Sequence, residues 1–493
     1  MPIDENTPER KAPAGGDDLV YINGIDAVSG KYVFPPRPIA ELAQQLLKTP
    51  VVDAFTELHA DEPRSFGVTF AVDPTKLEDA GWGIVFHEDT PQDVRAALDP
   101  LVQRRKQQAN DRFKVLDYKK GEQVRDWYQR HDISAGNVDP EIMPYYLLLV
   151  GPPDMIPFDF QYLIGVEYAT GRLAFDTAAE YEKYARSVVE YETANSVSNN
   201  KEIAFWGTQH PQDPATNMSA SMLITPLANG LPGASGALKR PINVDAGYTR
   251  TLKLGDDATK ANLLEILHAA NAPAMLFTAS HGMGMPAGRP TQIPTQGALL
   301  CQDWPGLGSI GPNYYLAASD IDDEANVHGL IALVFACFGG GTPDIDQFPM
   351  KLSDAGAAAP LAPKPFVAAL PRRLLTHPKG SALAVIAHVD RAWAFSIQAP
   401  KTQDAQIGAF RNSVGLILTG VPVGHSVCGN FGARFAALST ALASATSPTA
   451  LAGTRPSDRD LVSFWLQRND AQNYVVLGDP AVRVRANDLR SPQ

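Results

Sequence analysis

Several things are scarce in this chain, and each scarcity removes a class of function. Only 3 of its 493 residues are cysteine, too few for a disulfide framework. A basic excess is missing: 42 Lys and Arg stand against 54 Asp and Glu, a net charge of −12. Nucleic acid is therefore not expected as a partner, since phosphate contacts need a basic surface. The largest basic cluster, Arg104-Arg105-Lys106, reads as a solvated helix face. No apolar stretch approaches the roughly 18 residues that span a bilayer, so no membrane partner is expected either. There is no HExxH, no paired CxxC and no twelve-residue calcium loop. The acidic run from Asp320 to Glu324 reads as a solvated loop, with a calcium site as the alternative, so no cofactor or only calcium is expected. The opening residues MPIDENTPERKAPAGGDD carry neither a charged n-region nor an apolar h-region. That predicts no secretory signal and a cytoplasmic protein, a compartment that also keeps thiols reduced.

What is present is an ordinary globular composition, 44% hydrophobic and 19% charged, in a chain long enough for two or three domains. Residues 1–18 read as a disordered tail. Residues 19–140 form an N-terminal α+β region of unassigned fold, with a strand signal at 83–86 and helical periodicity over 91–104. From Tyr145 a strand leads into a proline-rich turn, an extended segment over 162–168 and a long helix over 177–196. The polar Ser198-Asn199-Asn200 marks a boundary between a segment at 141–200 and a domain at 201–493. In that domain strands are expected at 202–206, 247–252, 274–280, 330–336, 382–388 and 474–477. Helices are expected near 218–229, 258–270, 403–416, 432–445 and 461–468. The alternation predicts an α/β fold with a doubly wound, mostly parallel sheet and helices on both faces. Two connections are long: 282–329, with a hairpin formed by 297–303 and 314–318, and 341–364, rich in Pro, Ala and Gly.

Two strings carry the chemistry. Met275-Leu276-Phe277-Thr278-Ala279-Ser280-His281-Gly282 and Ile331-Ala332-Leu333-Val334-Phe335-Ala336-Cys337 are apolar runs that each stop at a reactive side chain followed at once, or within two residues, by glycine. Both have the length of buried strands. Ligands bind at the carboxyl ends of parallel strands, so neighbouring strands would offer His281 and Cys337 to one cleft. A thiol near pKa 8.5 needs a base or a positive environment to attack. His281 supplies the base, or holds the thiolate as an ion pair, and can protonate the leaving amine. A helix starting close after Cys337 would lower its pKa through the helix dipole. The backbone N–H groups of Gly282 and Cys337 are placed to donate to an oxyanion. A lone cysteine in an apolar run is more often an inert core thiol; the matching histidine reverses that reading.

The 56-residue separation of His281 and Cys337 matches the caspase spacing of histidine and cysteine. Both strings resemble the caspase-like (clan CD) cysteine peptidases, and among them the gingipain-like and CHAT-type branch. Residues 145–176, YYLLLVGPPDMIPFDFQYLIGVEYATGRLAFD, are similar to the segment before the catalytic domain of gingipain-like proteins. Residues 380–393 resemble the strand after the nucleophile strand, and 477–484 (LGDPAVRV) its closing segment. The resemblance implies a caspase-hemoglobinase-like fold, a Cys/His dyad, the two oxyanion donors, and protein or peptide substrates. It also implies a primary pocket walled by the loops after the first strand, around the cysteine strand and after the following strand. Asp213 in the first of these could pair with a basic substrate side chain, and Asp390 and Trp393 in the last would add an acid and an aromatic wall. Asp213 reads equally well as a turn or helix-capping residue. The residue preferred at P1 stays open between Arg or Lys, slightly favoured, and small or apolar side chains.

Other candidates are weaker. His328 and His388 can reach the cleft but read as structural, and Cys301 and Cys428 as small hydrophobes. Gly424-His425-Ser426-Val427-Cys428 nearly writes a G-x-S-x-G elbow but has cysteine where the last glycine belongs. The expected activity is a cysteine endopeptidase gated by an activating partner or by the 341–364 loop, with Lys351 a candidate self-cleavage point. The alternative is a catalytically silent caspase-like interaction module of a bacterial regulatory or defence system, a setting taken from family analogy.

Overall fold

The computed structural model describes residues 19–21, 24–33, 36–48, 54–59, 66–232, 238–346, 360–398, 405–447 and 455–491. Ten strands build one sheet: β1 (Trp82–His87), β2 (Phe113–Tyr118), β3 (Tyr146–Val150), β4 (Ala169–Leu173), β5 (Asn200–Gly207), β6 (Thr249–Leu254), β7 (Pro273–Ala279), β8 (Ile331–Phe335), β9 (Ala384–His388) and β10 (Tyr474–Gly478). Their order across the sheet is β6-β5-β7-β8-β9-β10-β4-β3-β1-β2. Every neighbouring pair is parallel except β9 with β10. The α/β class with a mostly parallel, doubly wound sheet is the one the sequence predicts.

The central strands are buried along their whole length, as near-continuous Val, Ile, Leu and Ala runs require when both sheet faces are covered. The residues without an assigned fold, 19–140, supply β1 and β2 at one end of this sheet. Asp479, just past β10, ties them in: one carboxylate oxygen accepts from Trp82 Nε1 at 2.9 Å and the other from Arg105 Nε at 2.6 Å. Arg105 also pairs with Glu192. Further toward the N-terminus, helix Ile39–Lys48 sets Leu42, Ala43 and Leu46 against Trp465 and Leu461 of helix Asp458–Gln472.

Some elements differ from expectation. The segment expected to be extended over 162–168 is helical through Phe158–Ile164, with strand only from Ala169. Its apolar run FDFQYLI fits either structure, and the helix buries Phe158, Phe160, Gln161, Tyr162 and Ile164 together. The long helix is Ala178–Thr193, begun by a capping box between Thr177 and Glu180. Asn199 and Asn200 at the expected boundary run straight into β5, and Asn199 is buried, donating to the His328 carbonyl at 2.9 Å. No helix opens directly after Cys337. Phe338 takes a left-handed φ of 59°, and the glycines beyond it lead to a two-residue strand at Gly341–Thr342. The helix-dipole source for a lowered thiol pKa is therefore absent from 338–346.

Candidate functional site

Strands β5, β7, β8 and β9 all run the same way, so the segments after them, beginning at 208, 280, 336 and 389, emerge on one edge of the sheet. The β7–β8 register pairs Ala279 with Phe335. Two residues further on, His281 and Cys337 leave adjacent strands at the same level. The backbones touch: a Cβ placed on Gly282 would lie 1.7 Å from the Cys337 carbonyl oxygen and 2.9 Å from its nitrogen. Only a residue without a side chain allows that approach. The Gly282 N–H donates toward the Cys337 sulfur.

His281 Nε2 lies 2.8 Å from Asp213 Oδ2. Asp213 is the N-cap of helix Pro214–Ser219 and accepts from Thr216 N–H at 3.3 Å and Thr216 Oγ1 at 2.6 Å. Its other oxygen accepts from the Tyr32 hydroxyl. Burial pushes this carboxylate's pKa up, but the neighbouring His281 ring and the hydrogen bonds from His281, Thr216 and Tyr32 outweigh it and hold it well below the usual range. Of the two readings the sequence leaves for Asp213, the helix cap is present. Both oxygens are occupied by this chain's own donors.

Cys337 and His281 are 1% and 2% exposed. The thiol sits 3.7 Å from the Ala392 carbonyl. Burial pushes it up to about 12, against opposing contributions from the Ala392 backbone, Arg391 and the Gly282 N–H. The resting sulfur is thus a neutral thiol. Alkylation of Cys337 by iodoacetamide, followed by peptide mapping, should be slow at pH 7–8. It should keep rising about tenfold per pH unit beyond pH 9, where an ordinary thiol levels off. A plateau near pH 8.5 would contradict the shift. By the same linkage, stability falls as pH rises past about 8.5, since the unfolded thiol ionises there while the folded one does not.

The segment after β9 lies over the sulfur. Asp390 adopts φ 68°, its carboxylate accepts from Arg391 N–H at 2.7 Å and Nε at 3.2 Å, and burial raises its pKa against the Arg391 cation. Arg391 reaches on to Asp346, beyond the cysteine strand. The expected pocket acid Asp390 is thus engaged with Arg391. Trp393 is 0% exposed and packs on Trp465 with centroids 6.1 Å apart, within a core cluster. The geometry thus gathers Cys337, His281, Gly282 and Asp213 and directs Trp393 into that cluster.

Two residues join that sequence reasoning did not single out. Tyr32 stands edge-on to His281, centroids 5.7 Å apart at 83°. His210 is buried against Trp304, and burial, with His281 nearby, lowers its pKa to about 4, so it is neutral at pH 7. The proximity of Asp213 and His281 had a signal in Asp213-Pro214, a helix start one loop beyond β5; Tyr32 had none.

The remaining candidates lie elsewhere. His388 Nε2 is 3.3 Å from Asp470 and its ring meets Tyr474 edge-on; His328 bonds Ser187 Oγ at 3.1 Å. Cys301 and Cys428 are buried free thiols. Ser426 lies in helix Val423–Val427 with its hydroxyl on the Pro422 carbonyl, so no strand–turn–helix elbow forms. The acidic run is divided among four basic side chains: Asp320 pairs with Lys260, Asp322 with His268, Asp323 with Arg373 and Glu324 with Lys379. Among the described residues no cluster of ligating side chains could hold a metal, and no helix is long and apolar enough to cross a membrane. Lys351 and most of the 341–364 loop fall outside the described residues.

No family model and no curated protein sequence matches the chain. Among solved structures, the crystal structure of the Arg-specific cysteine proteinase gingipain R aligns at 14% identity and a TM-score of 0.46, covering 83% of this chain and 79% of that one. A complex of Porphyromonas gingivalis RgpB pro- and mature domains aligns at 12% identity and 0.45, covering 82% and 80%. A structure described only as a protease aligns at 14% and 0.46, covering 83% and 80%.

Proposed function

We propose that the chain is a cysteine endopeptidase in which Cys337 attacks the scissile carbonyl and His281 moves the protons. The observation that carries this reading is the Asp213–His281 hydrogen bond at the end of β7, beside the end of the cysteine strand. A buried carboxylate on Nε2 fixes the ring and its tautomer and stabilises the imidazolium that forms. Because the resting thiol is neutral, its proton passes to His281 Nδ1 as the sulfur–carbon bond forms. The oxyanion accepts from the N–H groups of Gly282 and Cys337. His281 then gives the proton to the departing amine as the carbon–nitrogen bond breaks, takes one from the water that attacks the thioester, and returns it to the sulfur as the carbon–sulfur bond breaks and the acid product leaves.

The sulfur is covered, so substrate entry requires a movement. The segment from Val389 to Gln398 is the cover this reading assigns, held by the Arg391–Asp346 ion pair to the loop beyond Cys337. An activating partner or substrate that separates that pair would open the site. A reduced, cytoplasmic setting suits a thiol nucleophile. The P1 preference is open, with Asp213 and Asp390 both engaged inside the chain.

The covered thiol with its raised pKa also favours a second reading, a caspase-like module that binds partners and cleaves nothing. Peptide-library cleavage under reducing conditions, by the wild type beside Cys337→Ala, separates the two. Cleavage confined to the wild type supports the peptidase and reads P1; cleavage by neither favours the silent module.

A further inference from the structure

We propose that Tyr32, carried on the N-terminal segment, is a positioning residue of the same reaction, fixing the Asp213 carboxylate and one face of His281. Its kinetic consequence rests on the peptidase reading above; its structural consequence does not.

The segment that brings Tyr32 here is built into the site. Strand Ile25–Asp26 pairs in parallel with Met283–Gly284, the residues that follow His281 and Gly282. The Ala27 N–H donates to the Gly284 carbonyl at 3.2 Å, and the Ala27 carbonyl accepts from Ile310 at 2.9 Å. Ile25 and Ala27 are buried in a cluster with Met283, Leu300 and Trp304. A turn closed by Gly30 N–H on the Asp26 carbonyl, with Asp26 Oδ1 accepting from Ser29, reverses the chain and returns it so that Tyr32 bridges back to Ile25.

From there the phenol donates to Asp213 Oδ1 and accepts from the Ala215 N–H at 3.4 Å. Asp213 Oδ2 faces His281. The ring edge-on to His281 removes a direction in which the imidazole could turn. A carboxylate held by Thr216 alone could still swing about its Cα–Cβ bond, whereas a donor on the second oxygen fixes it. The burial and hydrogen bonding of the phenol keep it protonated, hence a donor. The N-terminal residues 24–33 thus complete the site, although Tyr32 lies 181 positions before Asp213 in the sequence.

The test compares wild type, Tyr32→Phe and Asp213→Asn, with histidine labelled in nitrogen-15 and His281→Ala used for assignment. The wild type should show a low-field ring N–H proton from His281. Asp213→Asn should abolish it, and Tyr32→Phe should displace or broaden it with the folded spectrum otherwise kept. On a cleaved peptide, Tyr32→Phe should lower kcat about tenfold with KM within about twofold. A His281 signal unchanged in Tyr32→Phe would overturn the proposal, as would a raised kcat, which would make the segment a cover. If the wild type cleaves nothing, the peptidase reading fails while the His281 signal still decides the role of Tyr32.

Discussion

Cys337→Ala is expected to remove peptide cleavage entirely, a fall of at least about 10³-fold in kcat/KM, while the chain stays folded. The neighbouring polar groups are engaged: Ser280 turns its hydroxyl onto the His281 carbonyl, and the Cys301 and Cys428 thiols are buried against the Leu299 and Val166 carbonyls. The fold should tolerate the change because the polar contacts of the side chain are weak ones, to the Ala392 backbone and from the Gly282 N–H, and it loses only its sulfur. Truncation of one buried atom costs on the order of 1 kcal/mol. Thermal unfolding within a few degrees of wild type, together with absent cleavage, is the expected pair of results. Retained cleavage would assign the activity elsewhere.

Gly282→Ala should act on stability as well as activity. The added methyl would sit 1.7 Å from the Cys337 carbonyl oxygen and 2.7 Å from its carbonyl carbon. Both are backbone atoms of a strand end locked between β7 and β9, so neither can turn aside as a flexible side chain would. Relief requires His281 and Cys337 to part, which breaks the proposed oxyanion site. The expected cost is at least about 3 kcal/mol, read as a lowered denaturant midpoint, with cleavage lost even in the fraction that folds. A variant with wild-type stability would mean that the two strand ends do not approach as described.

The parts of this architecture that were legible in the sequence are those where one physical requirement dominates. A strand covered on both faces must be apolar throughout, and this made β3, β5, β7, β8, β9 and β10 readable as short runs ending in polar or glycine residues. The same logic placed His281 and Cys337 at strand ends. Asp213 was legible only as an ambiguity between cap and pocket acid, because capping a helix and holding a histidine use the same carboxylate. The helix Phe158–Ile164 was misread because a short aromatic-rich apolar run satisfies either period. The turn at Phe338 was hidden because its left-handed backbone falls on an aromatic residue rather than on a glycine. Tyr32 was illegible since its neighbours form only two-residue strands, whose order comes from contacts with residues 283–310 rather than from local pattern.

The most direct test of the central claim is covalent capture: incubation of the reduced wild-type chain with a peptidyl acyloxymethyl ketone, then intact mass and peptide mapping. The account predicts a single adduct on the Cys337 sulfur, absent from Cys337→Ala and strongly slowed in His281→Ala. Labelling of Cys301 or Cys428 instead, or of Cys337 at an equal rate without His281, would contradict it.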